Sequence, residues 1–198
     1  MKPTNHLILK SSAERAFKAH ADTNHFYNDD LPYSFHLQLA MNVGDEFDYL
    51  LEDNETWYVT KIRPYREHNY DLTYLETVKL AIPWHDAIED ARYTYNDVVK
   101  EIGKHAADIV YAVTNLRGKN RDERANDEYY KGILETPGAT YVKLCDRIAN
   151  LRFGKLMGSI MPEKYRKEYP EFIRKLHLST DHDLYDMAHC IEKLLFEK

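Results

Sequence analysis

From residue 96 to residue 113, Val98, Val99, Ile102, Ala106, Ile109, Val110 and Val113 recur at steps of mostly three and four. That spacing gives an α-helix one continuous apolar face, and it gives a strand none. Similar spacing returns along the chain while sustained alternation does not, so the sequence predicts an all-α fold. Only seven Gly and seven Pro interrupt it. Ser11-Ser12-Ala13-Glu14 offers an N-cap and an acidic first turn ahead of Ala16, Phe17 and Ala19, predicting a first helix over 11–25. Turn chemistry in Asn28-Asp29-Asp30-Leu31-Pro32 precedes His36, Leu39, Ala40 and Val43 at helical spacing, which puts His36 at the start of a second helix. Further helices are predicted over 73–91, 96–113, 137–156, 165–168 and 183–196. Residues 52–72 lack clean periodicity and carry a Pro, and read as a long loop or insertion. The stretch 117–131 is intensely charged.

Composition bounds function by exclusion. A chain of 198 residues with 43% hydrophobic and 30% charged residues has the make-up of a globular domain. Its formal charge of -6 supplies no basic field for a nucleic-acid backbone, although a local basic patch can still grip a small phosphorylated ligand. Cys145 and Cys190 are too few for a disulfide framework and fit a reducing compartment. No segment approaches the roughly 18 apolar residues of a membrane span, and the N-terminus lacks a signal-peptide core, so a cytoplasmic protein is expected. No repeat or linker divides the chain. It reads as a single domain over 1–198, with a motif-bearing core over 11–156, an insertion over 45–72 and a helical C-terminal extension over 157–198. Nothing in the sequence specifies an oligomeric state.

The chemistry concentrates in Trp84-His85-Asp86-Ala87-Ile88-Glu89-Asp90. On a continuous helix, with His85 at zero, Asp86 falls at about 100°, Glu89 at about 40° and Asp90 at about 140°. One imidazole and three carboxylates would then share a face opposite Leu80, Trp84, Ala87, Ile88 and Ala91. Such a face raises its own pKa values unless a cation holds it, and a divalent ion does this well. His with Asp suits a borderline-hard ion such as Mn, Fe or Zn, with further ligands drawn from elsewhere in the chain. A solvated acidic helix face is the plainer account of the same residues.

A second segment, Tyr141-Val142-Lys143-Leu144-Cys145-Asp146-Arg147-Ile148-Ala149-Asn150-Leu151-Arg152, places Leu144, Ile148 and Leu151 on a core stripe. Asp146 and Asn150, four apart, share another face. By itself the segment is accounted for by a salt bridge from Asp146 to Lys143 or Arg147.

Together, His36, His85-Asp86 and Asp146 resemble the ordered H, HD, D pattern of the HD-domain metal-dependent phosphohydrolases, an all-α superfamily. The resemblance is nearest to the RelA/SpoT-type (metazoan SpoT homologue-like) guanosine tetraphosphate (ppGpp) hydrolases. His85-Asp86-Ala87-Ile88-Glu89-Asp90 is similar to their HDxxED, and Lys143 to Arg152 to their KLADRxxNLR. Pro32-Tyr33-Ser34-Phe35-His36 is similar to their PYxxH, and Phe17-Lys18-Ala19-His20 to their AxxAH helix. The resemblance implies that His36, His85, Asp86 and Asp146 hold a metal, Mn2+ or another divalent transition metal. It implies that Glu89 and Asp90 are the hydrolysis pair and that Asn150 meets the nucleotide ribose. Arg117, Lys119, Arg121 and Arg124 form a basic run suited to clamping phosphates.

The chain departs from that pattern around the substrate. His25 stands where the family carries an arginine that helps hold the base, and the loop after it is longer and lacks a Gly. His36 and His85 lie 49 residues apart, more than in compact relatives, consistent with the insertion. Pro83, two residues before His85, removes a helical donor and kinks or starts the helix there. A small-molecule nucleotide substrate is expected, either ppGpp or another nucleotide such as a deoxynucleoside monophosphate or NADPH. A non-catalytic nucleotide-sensing module is the third reading. With no synthetase half following the last motif, degradation of the alarmone is expected rather than its synthesis.

Overall fold

A computed structural model describes residues 3–28, 30–52, 60–62, 70–115, 119–180 and 182–197. Its helices are α1 (Pro3–Ala21), α2 (Ser34–Glu46), α3 (Tyr49–Glu52), α4 (Tyr74–Ala81), α5 (Ala87–Asp90), α6 (Tyr95–Val113), α7 (Arg121–Arg124), α8 (Asp127–Glu135), α9 (Ala139–Leu156), α10 (Met161–Lys175) and α11 (Tyr185–Phe196). The all-α class is thus as the apolar periodicity requires. A short antiparallel pair, β1 (Thr60–Ile62) and β2 (Tyr70–Leu72), registers Thr60 with Leu72 and lies inside the stretch read from sequence as a loop. Residues 53–59 and 63–69 of that stretch lie outside the described residues. No described helix is long and apolar enough to cross a membrane.

Helix α9 is the hub, packed against α2, α6, α10 and α11. Tyr141, Leu144, Ile148 and Leu151 are buried along it, meeting a core that includes Leu37, Val98, Ile102 and Val110. Each such side chain contributes about 1.5–3 kcal/mol by leaving water. Arg147 ties α9 to α10, donating to Glu168 at 3.0 Å and lying over the Tyr165 ring at 3.9 Å. Helix α9 starts at Gly138, whose φ of 85° belongs to the left-handed region and whose missing side chain lets Val78 approach.

Several helix boundaries need correction. The first helix begins at Pro3, well before Ser11, so Ser12 is interior and buried. Instead of capping a helix, its hydroxyl accepts a 2.9 Å hydrogen bond from the buried Trp84 indole. The predicted helix over 73–91 is not continuous. Capped by Thr73 and Glu76, α4 ends at Ala81, a 3-10 turn covers Ile82–Trp84, and α5 begins only at Ala87. Pro83 offers no amide to an α-helical bond, so the chain tightens there. The single face of His85, Asp86, Glu89 and Asp90 drawn from a straight helix is therefore not what places these residues. In α6 the helical path is likewise broken at Gly103, with φ 77°. Helix α8 emerges from the charged stretch, capped by Asn126 and burying Tyr130 and Ile133, and α10 extends well beyond 165–168.

Candidate metal centre

Three separate pieces of chain meet at one point. His36 comes from the first turn of α2, His85 and Asp86 from the turn after Trp84, and Asp146 from the middle of α9. The His85 Nδ1 lies 2.7 Å from the Ile82 carbonyl, an arrangement in which Nδ1–H donates and Nε2 faces inward. There it stands 3.2 Å from His36 Nε2 and 2.9 Å from Asp86 Oδ2. Asp146 Oδ1 lies 3.4 Å from His36 Nε2 and 3.7 Å from His85 Nε2. His36 Nε2 to Asp86 Oδ2 is 3.8 Å. One ligand atom each from His36, His85 and Asp146 falls within 4.8 Å of the others.

The donor set fits a divalent cation. A shell with bonds of about 2.1 Å has neighbouring donors about 3.0–3.4 Å apart, close to the spacings found here. Two imidazole nitrogens facing each other at 3.2 Å with carboxylate oxygens beside them have no apolar explanation. Outer contacts brace the carboxylates. Tyr33 donates its hydroxyl proton to Asp86 Oδ2. Asn150 Nδ2 donates to Asp146 Oδ1 at 2.5 Å, Lys143 Nζ donates to Asp146 Oδ2 at 3.1 Å, and Tyr27 donates to Asn150 Oδ1 at 2.8 Å.

Charge follows this geometry. Burial opposes a proton on His85, yet the adjacent Asp86 charge and hydrogen bond, with Asp146, raise the imidazole to about 9. Burial disfavours the charged form of both carboxylates, but His85 holds Asp86 low, and Lys143 with the two histidines holds Asp146 well below the usual range. Glu89 and Asp90 go the other way. Burial and the Asp86 charge raise both, and for Asp90 the neighbouring Glu89 adds to the shift and brings it to about 7. Two carboxylates shifted down beside two shifted up is a division suited to metal binding and proton transfer.

The family-model comparison gave no match for this chain. Curated proteins similar to part of it include a guanosine-3′,5′-bis(diphosphate) 3′-pyrophosphohydrolase of Haemophilus influenzae, 34% identical over 89 residues, covering 42% of this chain and 13% of that protein. The bifunctional (p)ppGpp synthase/hydrolase SpoT of Escherichia coli is 32% identical over 98 residues, covering 46% of this chain and 13% of that one. The chain therefore spans only a small part of the relatives it matches, and its likeness to these hydrolases is local.

The remaining residues singled out from sequence are placed as follows. Asn150 stands at the cluster, engaged with Asp146 and Tyr27. Arg124 Nη1 is 3.6 Å from Glu89 Oε1, and the Asn115 amide donates to Glu89 Oε2 at 3.1 Å, so these two anchor the glutamate. Lys119 is exposed, its backbone amide on Glu123, Arg121 opens α7, and Arg117 lies outside the described residues. His25 is turned inward, its Nδ1 2.9 Å from His20 Nδ1 and its ring stacked on Tyr33 at 3.8 Å. Lys143 makes the salt bridge to Asp146 that the segment suggested, whereas the sequence assigned no role to Tyr27, Tyr33, Phe35 or Phe153, whose rings gather beside the cluster. The PYxxH motif contains Tyr33 and Phe35, but spacing alone does not say what either touches.

Proposed function

We propose that this chain is a divalent-metal-dependent hydrolase of a phosphorylated nucleotide, with guanosine 3′,5′-bis(diphosphate) as substrate and GDP and pyrophosphate as products. The observation that carries the reading is the convergence of His36, His85, Asp86 and Asp146 from three distant segments. The local similarity to 3′-pyrophosphohydrolases supports the substrate class.

These four side chains would hold the ion, Mn2+ in the first instance. When bound it supplies Lewis acidity toward a phosphoryl oxygen and an acidified water. The chain's own residues do the rest. In the net reaction a water oxygen bonds to the phosphorus on the ribose 3′ oxygen, the P–O3′ bond breaks, and a proton passes from the water to the departing oxygen. Asp90, poised near neutrality, is suited to take and return that proton, while Glu89, fixed by Asn115 and Arg124, orients the water. Lys143 offsets part of the negative charge that the carboxylates and a polyphosphate bring together.

A second reading keeps the chemistry and changes the substrate to another nucleotide, such as a deoxynucleoside monophosphate or NADPH. It is favoured by His25, which is engaged with His20 and Tyr33. Turnover of Mn2+-loaded protein against ppGpp and this panel, with products separated by ion exchange and Asp146→Ala as control, tests both. GDP and pyrophosphate release supports the first, and cleavage of another panel member alone supports the second. Metal binding with no turnover across the panel overturns hydrolysis in favour of a sensing role.

A further inference from the structure

A wall of aromatic rings borders the cluster. Tyr27 stacks over the His36 imidazole with centroids 4.7 Å apart, and Phe153 of α9 meets Tyr27 at 4.6 Å. Phe35, next to His36 on α2, meets Phe153 at 5.8 Å and is 39% exposed. Phe153 itself is half-buried. Ring surface is thus left open to solvent within one side chain of the candidate ligands. The wall is continuous with the cluster through hydrogen bonds as well as packing, since Tyr27 donates to Asn150 and Asn150 donates to Asp146.

We propose that Tyr27, Phe35 and Phe153 form the subsite for the substrate's nucleobase, which they hold by stacking without reading its hydrogen-bonding edge. The inference rests on the reading of the cluster as a nucleotide hydrolase and names how the base of its substrate is held. Every base presents a π face, so a stacking platform tolerates all of them. Selecting one base requires polar atoms aimed at its edge, and polar atoms of three side chains beside the wall are spent on contacts within the protein. His25 Nδ1 faces His20, the Tyr27 hydroxyl is given to Asn150, and the Asn150 amide is given to Asp146. These groups brace the cluster.

The test has a binding arm and a kinetic arm. In saturation-transfer NMR on the metal-free protein, guanosine, adenosine and cytidine should bind with Kd values within about tenfold of one another, and ribose should give no transfer. Phe153→Ala should weaken nucleoside binding by about 5- to 100-fold, and Phe35→Leu, at a more exposed position, should weaken it in the same direction. On Mn2+-loaded protein both variants should raise KM for the cleaved nucleotide and leave kcat nearly unchanged. Nucleoside binding indifferent to both variants, or guanosine preferred by more than about 100-fold, overturns the platform. Nucleosides that bind the wall while no nucleotide is cleaved would sink the hydrolase reading and leave the wall standing. Turnover with a KM indifferent to both variants would do the reverse.

Discussion

Lys143 and Asp146, one turn apart on α9, form an ion pair at 3.1 Å that occupies one carboxylate oxygen and leaves the other toward His36. Lys143 gives that carboxylate a positive partner besides the imidazoles. Replacing it with Met should therefore destabilise the metal-free protein by about 1–3 kcal/mol, since a largely buried carboxylate loses a charged partner. A divalent ion supplies positive charge at the same place, so adding Mn2+ should narrow the difference between wild type and Lys143→Met. Thermal melts with and without metal measure this. An identical deficit in both conditions would show that the lysine acts only through packing.

Asp146 and Glu89 should separate binding from turnover. Asp146→Ala removes an oxygen from the cluster and should lose metal and activity together. Glu89→Gln keeps the acceptor for the Asn115 amide and should retain metal while turnover falls by about 100- to 10,000-fold. Metal analysis of the purified variants beside their rates distinguishes the two, and full activity in Asp146→Ala would refute the assigned site.

His20 should leave a signature in the pH dependence of stability. Burial, opposed by Asp86 and aided by His25, lowers its imidazole to about 4 from an ordinary 6.5. The unfolded chain thus takes up a proton below about pH 6.5 that the folded chain refuses until about pH 4. Its contribution is fully present above pH 6.5 and is lost as pH falls through that window, reaching about 3 kcal/mol. His85, with its pKa raised, acts in the opposite sense between pH 6.5 and about 9. The difference between wild type and His20→Gln isolates the first effect. Denaturant titrations of metal-free protein from pH 7 to 4 should show a shallower slope in the variant, and parallel curves would count against this assignment.

Gly138→Ala tests how α9 is seated. The added carbon would fall 2.6 Å from Val78 Cγ2 at a residue with φ 85°. A loss of about 1–3 kcal/mol is expected from the backbone strain and overpacking combined. A melting temperature unchanged from wild type would mean that α4 and α9 yield more readily than their packing implies.

The helical class and the α9 stripe were legible because burial leaves a period in the sequence, and Leu144, Ile148 and Leu151 carry it. Asp146 and Asn150 share a face as four-residue spacing requires, and Lys143 takes the salt bridge that the same segment suggested. The grouping of His85 with Asp86 was legible as a pair, but its geometry was not. A wheel assumes one continuous helix, and Pro83 converts the path into a tighter turn that aims His85 through the Ile82 carbonyl. The rings of Tyr27, Tyr33, Phe35 and Phe153 were hidden for a different reason. Their roles come from contacts between α2, α9 and the loop between α1 and α2, and such long-range packing writes no local pattern.

The interrupted helix at Ile82–Trp84 also bears on how the chain comes apart. Its turn delivers His85 to a point shared with residues 49 positions earlier on α2 and with α9 further along. An ion bound there would act as a removable cross-link, closing large loops that the unfolded ensemble would otherwise leave free. Amide exchange in α2, in the turn and in the centre of α9 should then slow together on metal addition, as one cooperative unit fastened at its middle.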